Sequence, residues 1–203
     1  MKKLLLFIFL PLQVYCQNTI GFPDVFNYAR ISYGAGLQNW EFKQDVNGII
    51  YVANNEGMLS FDGMKWKLNP LPNKTIVRSI EIGIDQRIYV GGQDEIGYFA
   101  PALNGKLKYH SLKDSIPLQF KSFGDVWDIV TYQNDIYFRT TTKIFKYKPN
   151  AVTVFEAPSE WSYLGICNNL LYAHDYKAGL TLFNGKQWQP VSLQNPLPKN
   201  DPV

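Results

Sequence analysis

The sequence has 203 residues, with 20 Lys and Arg against 17 Asp and Glu, 2 His, a net charge of +3, and 15% aromatic residues beside 15 Gly and 12 Pro. So small a charge imbalance, without a basic stripe, excludes a nucleic-acid footprint. Abundant aromatics, glycine and proline suit an all-β chain with many tight turns.

Met1-Lys2-Lys3 is followed by an apolar run from Leu4 to Leu12, then by Val14-Tyr15-Cys16 ahead of polar Gln17-Asn18. This reads as a secretory signal peptide over 1–16, too short to span a bilayer as a helix. Its place behind two lysines at the extreme N-terminus argues against a buried core helix. Bulky Tyr15 argues against a lipoprotein in which Cys16 is kept and acylated. Removing Lys2 and Lys3 from the 20 basic residues leaves 18 against 17 acidic ones, and Cys167 as the single cysteine. No intramolecular disulfide is then available, so core packing must hold the fold in an oxidising compartment. Cys167 ends the run Tyr163-Leu164-Gly165-Ile166-Cys167 and reads as a small buried core residue.

Residues 17–38 lead into a repeat. A short apolar strand with a tyrosine recurs at Tyr51, Tyr89, Tyr137 and Tyr172, separated by 38, 48 and 35 residues. That spacing brackets the period of roughly 40–45 residues of a four-stranded propeller blade. The first blade reads as strands over 40–44, 49–53, 58–61 and 65–68, with Asn47-Gly48 and Asp62-Gly63 closing hairpins. The second reads as 77–82, 87–90, 97–100 and 106–109, the third as 126–132, 135–138, 143–147 and 152–155. The fourth reads as 162–167, 170–173, 180–183 and 187–191. Blades are expected over about 39–72, 76–112, 126–157 and 161–198. No sustained helical period appears outside the signal.

The first and fourth blades end alike. Gly57-Met58-Leu59-Ser60-Phe61-Asp62-Gly63-Met64-Lys65-Trp66 and Gly179-Leu180-Thr181-Leu182-Phe183-Asn184-Gly185-Lys186-Gln187-Trp188 keep Gly, Phe, Gly and Trp in one register. Each runs into the same loop, Asn69-Pro70-Leu71-Pro72 and Asn195-Pro196-Leu197-Pro198. After the second, only 199–203 remain, read as the start of a further blade. The expectation is an all-β propeller of four-stranded antiparallel blades, about four of them present in an incomplete ring, because raw strand edges are avoided.

These residues resemble the regulator-propeller repeats of bacterial extracytoplasmic sensors, found in hybrid two-component systems and in membrane-spanning helix-turn-helix regulators. The resemblance is carried by Gln38-Asn39-Trp40, the run from Asn47 to Gly57, Phe61-Asp62-Gly63 with Trp66, and the run from Tyr89 to Phe99. Phe123-Gly124-Asp125-Val126-Trp127-Asp128 and Ala157-Pro158-Ser159-Glu160-Trp161-Ser162 add to it, over about 20–198. Blades two and three depart from the Phe-Asp-Gly-x-x-Trp ending. The resemblance implies a periplasmic location, more blades, an immunoglobulin-like domain, an inner-membrane anchor and a cytoplasmic kinase or DNA-binding module, with homodimers of the full-length receptor. Glycans are ligands it implies for some relatives.

In a blade, the turn between strands two and three and the connection into the next blade open on one face, where ligands usually sit. This places Asn54, Glu56, Gln93, Asp94, Arg139, His174 and Asp175 as binding candidates; plain solvated turns are the alternative. First strands begin near that face, so Trp40, Arg78, Trp127 and Trp161 are expected around the channel mouth; sealing of inter-blade cores is the alternative for each tryptophan. Indole beside Asn, Asp and Arg suits an oligosaccharide. No cofactor, metal or catalytic motif is read: His110 and His174 are distant in sequence, without ligand-spaced partners, and are expected as surface or turn residues. The expected function is a sensor domain without chemistry of its own. The rivals are a propeller enzyme, lyase or glycan hydrolase, and a passive protein-interaction scaffold.

Overall fold

In a computed structural model of the chain, the described residues are 21, 24–149 and 151–192. The signal segment with Cys16, the loop Asn195-Pro196-Leu197-Pro198 and 199–203 lie outside them.

A short helix α1 (Arg30–Tyr33) precedes sixteen strands. The first sheet holds β1 (Asn39–Gln44), β2 (Ile50–Asn54), β3 (Gly57–Phe61) and β4 (Trp66–Asn69). The second holds β5 (Val77–Ile82), β6 (Ile88–Gly92), β7 (Glu95–Pro101) and β8 (Leu107–Ser111). The third holds β9 (Val126–Tyr132), β10 (Asp135–Thr140), β11 (Lys143–Lys148) and β12 (Ala151–Glu156). The fourth holds β13 (Trp161–Cys167), β14 (Leu170–Asp175), β15 (Gly179–Phe183) and β16 (Trp188–Pro190). Each is an antiparallel meander in sequence order, and the first strands β1, β5, β9 and β13 neighbour one another in turn.

The cores lie between successive blades, because strand alternation gives each sheet two faces to bury. Tyr51, Met58 and Leu71 of blade one meet Ile80, Val90 and Phe99 of blade two. Tyr89 and Ile96 of blade two meet Ile129, Phe138 and Phe145 of blade three. Tyr137 and Ile144 of blade three meet Trp161, Leu171 and Phe183 of blade four. The other face of blade one, Val52 and Leu59 with Trp66, is covered by Tyr33 and Ala35 of the N-terminal segment. Trp66 stacks on Phe61 at 4.6 Å with Tyr28 and Tyr33 edge-on. Trp188 has the same place in blade four, against Phe183 at 5.0 Å and Phe155 of blade three.

Second strands run further than sequence patterning predicts. Asn54, Arg139, His174 and Asp175, read as turn residues, lie at the ends of β2, β10 and β14, and all are buried. Their side chains find partners inside the protein, which lets pairing extend. Cys167 is exposed, not a core residue. It stands three positions past Leu164, so alternation turns it away from blade three.

Candidate functional site

Each first strand carries a register shift at the same phase: between Asn39 and Glu41, between Val77 and Ser79, opposite Arg139 and Thr140, and between Trp161 and Tyr163. The extra residues are Trp40, Arg78, Trp127 and Ser162. A bulge re-aims the side chain it inserts. Here it stacks three of them, with the Arg78 guanidinium 4.4 Å from the Trp40 ring and 4.5 Å from the Trp127 ring. Arg78 Nε lies 2.9 Å from Asp125 Oδ2, and the Trp40 indole donates to Asn55 Oδ1 at 2.8 Å. Both indoles are 39% exposed.

The residue after each bulge ties its blade to the next. Glu41 Oε2 accepts from the Ile80 N–H at 2.8 Å, Ser79 Oγ donates to the Val126 carbonyl at 2.9 Å, and Asp128 Oδ2 accepts from the Leu164 N–H at 3.0 Å. In blade four the same position is Tyr163, 41% exposed. A Cβ on Gly165 would fall 2.1 Å from the Tyr163 hydroxyl, so the missing side chain lets the phenol ring lie along the sheet.

Trp40, Glu41, Lys43, Arg78, residues 127–130 and residues 163–165 enclose a cleft of about 430 Å³ on the wall formed by the four first strands. Lys43 Nζ bridges Glu41 at 3.1 Å and Glu81 at 3.0 Å. Burial works against its charge, but the two carboxylates outweigh it and raise the ammonium pKa. Beside it, Asp128 pairs with Arg139, whose Nη1 donates to the Trp161 carbonyl at 2.9 Å. A larger groove of about 680 Å³ lies between blades one and two, lined by Asp45, Tyr51, Trp66 and Leu107. Its acids serve the fold: Asp45 accepts from Asn47, Ile49 and Tyr51, and Asp62 from Met64 and Lys65.

Of the sequence candidates, Trp40, Arg78 and Trp127 come together on the cleft. Asn54 is fully buried, accepting from Gly36 N–H and donating to the Gly36 carbonyl at 2.7 Å, the Gln38 carbonyl and Asn39 Oδ1. Asp175, also fully buried, accepts from Ser159, Lys177 and Ala178; these donors outweigh burial and lower its pKa. Asp94 accepts from the Phe123 and Gly124 N–H groups at 2.6 and 2.8 Å. Glu56 is exposed, 3.9 Å from Arg30. Gln93 is exposed and its backbone bridges to Asp125. Arg139 belongs to the inter-blade network. His174 is buried, not a surface residue, with Nδ1 2.6 Å from Ser162 Oγ. Trp161 leaves the channel mouth altogether: it is 2% exposed in the core between blades three and four, against Trp188 at 5.6 Å.

Patterning missed Tyr163, Glu41, Lys43 and Asp128 as parts of this wall, and Glu81 as the partner of Lys43. The available signal was position, since Glu41 and Asp128 directly follow Trp40 and Trp127. Among the described residues no group of His, Cys, Asp or Glu is gathered to hold a metal, and no helix is long and apolar enough to cross a membrane.

No protein-family model and no curated protein matches the chain. Solved structures do. The extracellular domain of a one-component system from B. thetaiotaomicron aligns with TM-score 0.61 at 17% identity, over 79% of this chain and 23% of that one. The extracellular domain of a hybrid two-component system from the same organism gives 0.58 at 16%, over 76% and 23%. Virginiamycin B lyase from Staphylococcus aureus gives 0.59 at 15%, over 78% and 56%. The chain thus spans about a quarter of the regulators' length and little more than half of the lyase. At such identities the likeness speaks for architecture, and with the four meanders it shows that this chain folds as blades of a β-propeller.

Proposed function

We propose that the chain is part of an exported sensor, and that its first-strand cleft binds a glycan and passes the signal to downstream domains of the same chain. The observation that carries this reading is the cleft itself, where Trp40, Trp127 and Tyr163 present aromatic surface beside Arg78 and Asp128. Sugar rings stack on such surfaces, and their hydroxyls need paired donors and acceptors. The extracellular regulator domains among the structural neighbours support the sensor setting. Because the cleft draws on all four first strands, a ligand there contacts several blades at once, and it signals only if it binds one arrangement of them better than another.

The test is calorimetric titration against a glycan library, with a Tyr163→Ala variant. Loss of one stacking platform is expected to weaken binding roughly threefold to tenfold, with an unchanged melting temperature because Tyr163 is an exposed side chain. Absence of any glycan binding rejects the glycan ligand. The lyase neighbours support a second reading, a propeller enzyme. Incubation with virginiamycin B, followed by chromatography for intact antibiotic, separates the two; the sensor reading expects no consumption.

A further inference from the structure

We infer that the first-strand cleft selects neutral glycans over acidic ones such as uronates and sulfated sugars, a statement that rests on the glycan reading proposed above. Two of the wall's cations are already engaged. Lys43 is held between Glu41 and Glu81 at 3.1 and 3.0 Å, and Arg139 is buried against Asp128. The third, Arg78, faces Asp125 at 2.9 Å and is enclosed by two indoles. Glu41 and Asp128 balance Lys43 and Arg78 on the lining itself, and with Glu81, Asp125 and Arg139 paired behind them four carboxylates stand among three cations, leaving one negative charge in excess in a partly enclosed cluster, where screening by salt is weaker than in open solvent.

An incoming carboxylate or sulfate finds no free cation to pair with and meets this surplus, whereas hydroxyls lose nothing by it. Arg78 points the same way. Its Nε is held by Asp125 Oδ2 at 2.9 Å and its guanidinium plane is covered by the two indoles, so its charge is not open to an incoming anion. Tyr163 adds an aromatic face whose negative quadrupole offers an anion nothing.

The experiment titrates the chain with galactose oligomers and galacturonate oligomers of equal length, in low and in high salt. The neutral series is expected to bind about tenfold more tightly at low salt, the gap closing as salt rises. Glu81→Gln removes the surplus charge and should narrow the gap; Lys43→Met doubles the surplus and should widen it. Both variants are read as the ratio of the two affinities, with circular dichroism confirming the fold. Equal or tighter binding of galacturonate, or variants that move the ratio the same way, overturns the charge selection and leaves the glycan reading standing. Binding of neither series, nor of any other glycan in the library, overturns the glycan reading and this inference together.

Discussion

At the scale of the residue, the polar side chains nearest the loop face divide into those that hold the fold and those that line the cleft. Asn54→Ala should cost about 2–4 kcal/mol, because it strands the buried N–H and carbonyl of Gly36. Glu56→Ala, two positions on, should stay within about 0.5 kcal/mol, since its exposed pair with Arg30 is worth little. Urea denaturation of both variants checks the contrast. Arg78→Lys keeps the charge but loses the planar group that fits between two indoles, and should destabilise by about 1 kcal/mol. Trp40, Arg78 and Trp127 were legible in the sequence because uncommon side chains fall at one phase of successive first strands. The clamping of Gly36 and Gln38 by Asn54, and of Ser159 by Asp175, was not, since these partners come from a preceding loop that only the folded chain brings near. Tyr163 escaped notice for a related reason: its posture depends on the empty space above Gly165.

At the scale of the element, hairpins and their tyrosines share a construction. Gln133-Asn134 and Asn168-Asn169 both turn with two positive φ values, 50° and 69°, and 48° and 59°, the mirror-image turn that matches strand twist. Such turns were readable as Asn-rich punctuation. Gly57 is less forgiving: its φ is +135° and a Cβ would come 2.7 Å from Pro70 Cα. Gly57→Ala should therefore destabilise by about 2 kcal/mol or more, against about 1 kcal/mol for Gly105→Ala, whose φ of +72° meets open space. Thermal melts compare them. In the first two blades the turn acid accepts the anchor phenol, Asp45 from Tyr51 at 3.2 Å and Asp85 from Tyr89 at 3.0 Å. Burial, reinforced by Asp45, pushes Tyr51 up to about 12, and burial with Asp85 raises Tyr89 as well. A raised folded value means the native state holds its proton longer. The associated stability is complete below the unfolded value near pH 10 and is lost as pH rises toward 12. Ultraviolet titration should show these phenols ionising late, together with unfolding, and Asp45→Asn should move the Tyr51 transition to lower pH.

At the scale of the whole molecule, the blade count and meander order were visible in the spacing of Tyr51, Tyr89, Tyr137 and Tyr172, while the covering of blade one was not. Nothing in residues 24–36 repeats, yet Tyr28, Tyr33 and Ala35 stand against Trp66, Leu59 and Val52 as blade three stands against Trp188. Deleting residues 24–36 should lower the melting temperature and expose Trp66, red-shifting tryptophan emission. The burial of the anchor tyrosines has a last consequence. Tyr51, Tyr89 and Tyr137 are 6%, 3% and 1% exposed against a following blade, whereas Tyr172 is only half-buried. In a linear array, each unit borrows stability from its neighbours, and opening starts at the unit with the fewest. Amide exchange should therefore be slowest in β6 and β10, whose anchor tyrosines are sealed between two blades, and faster in β14, whose tyrosine is half-buried.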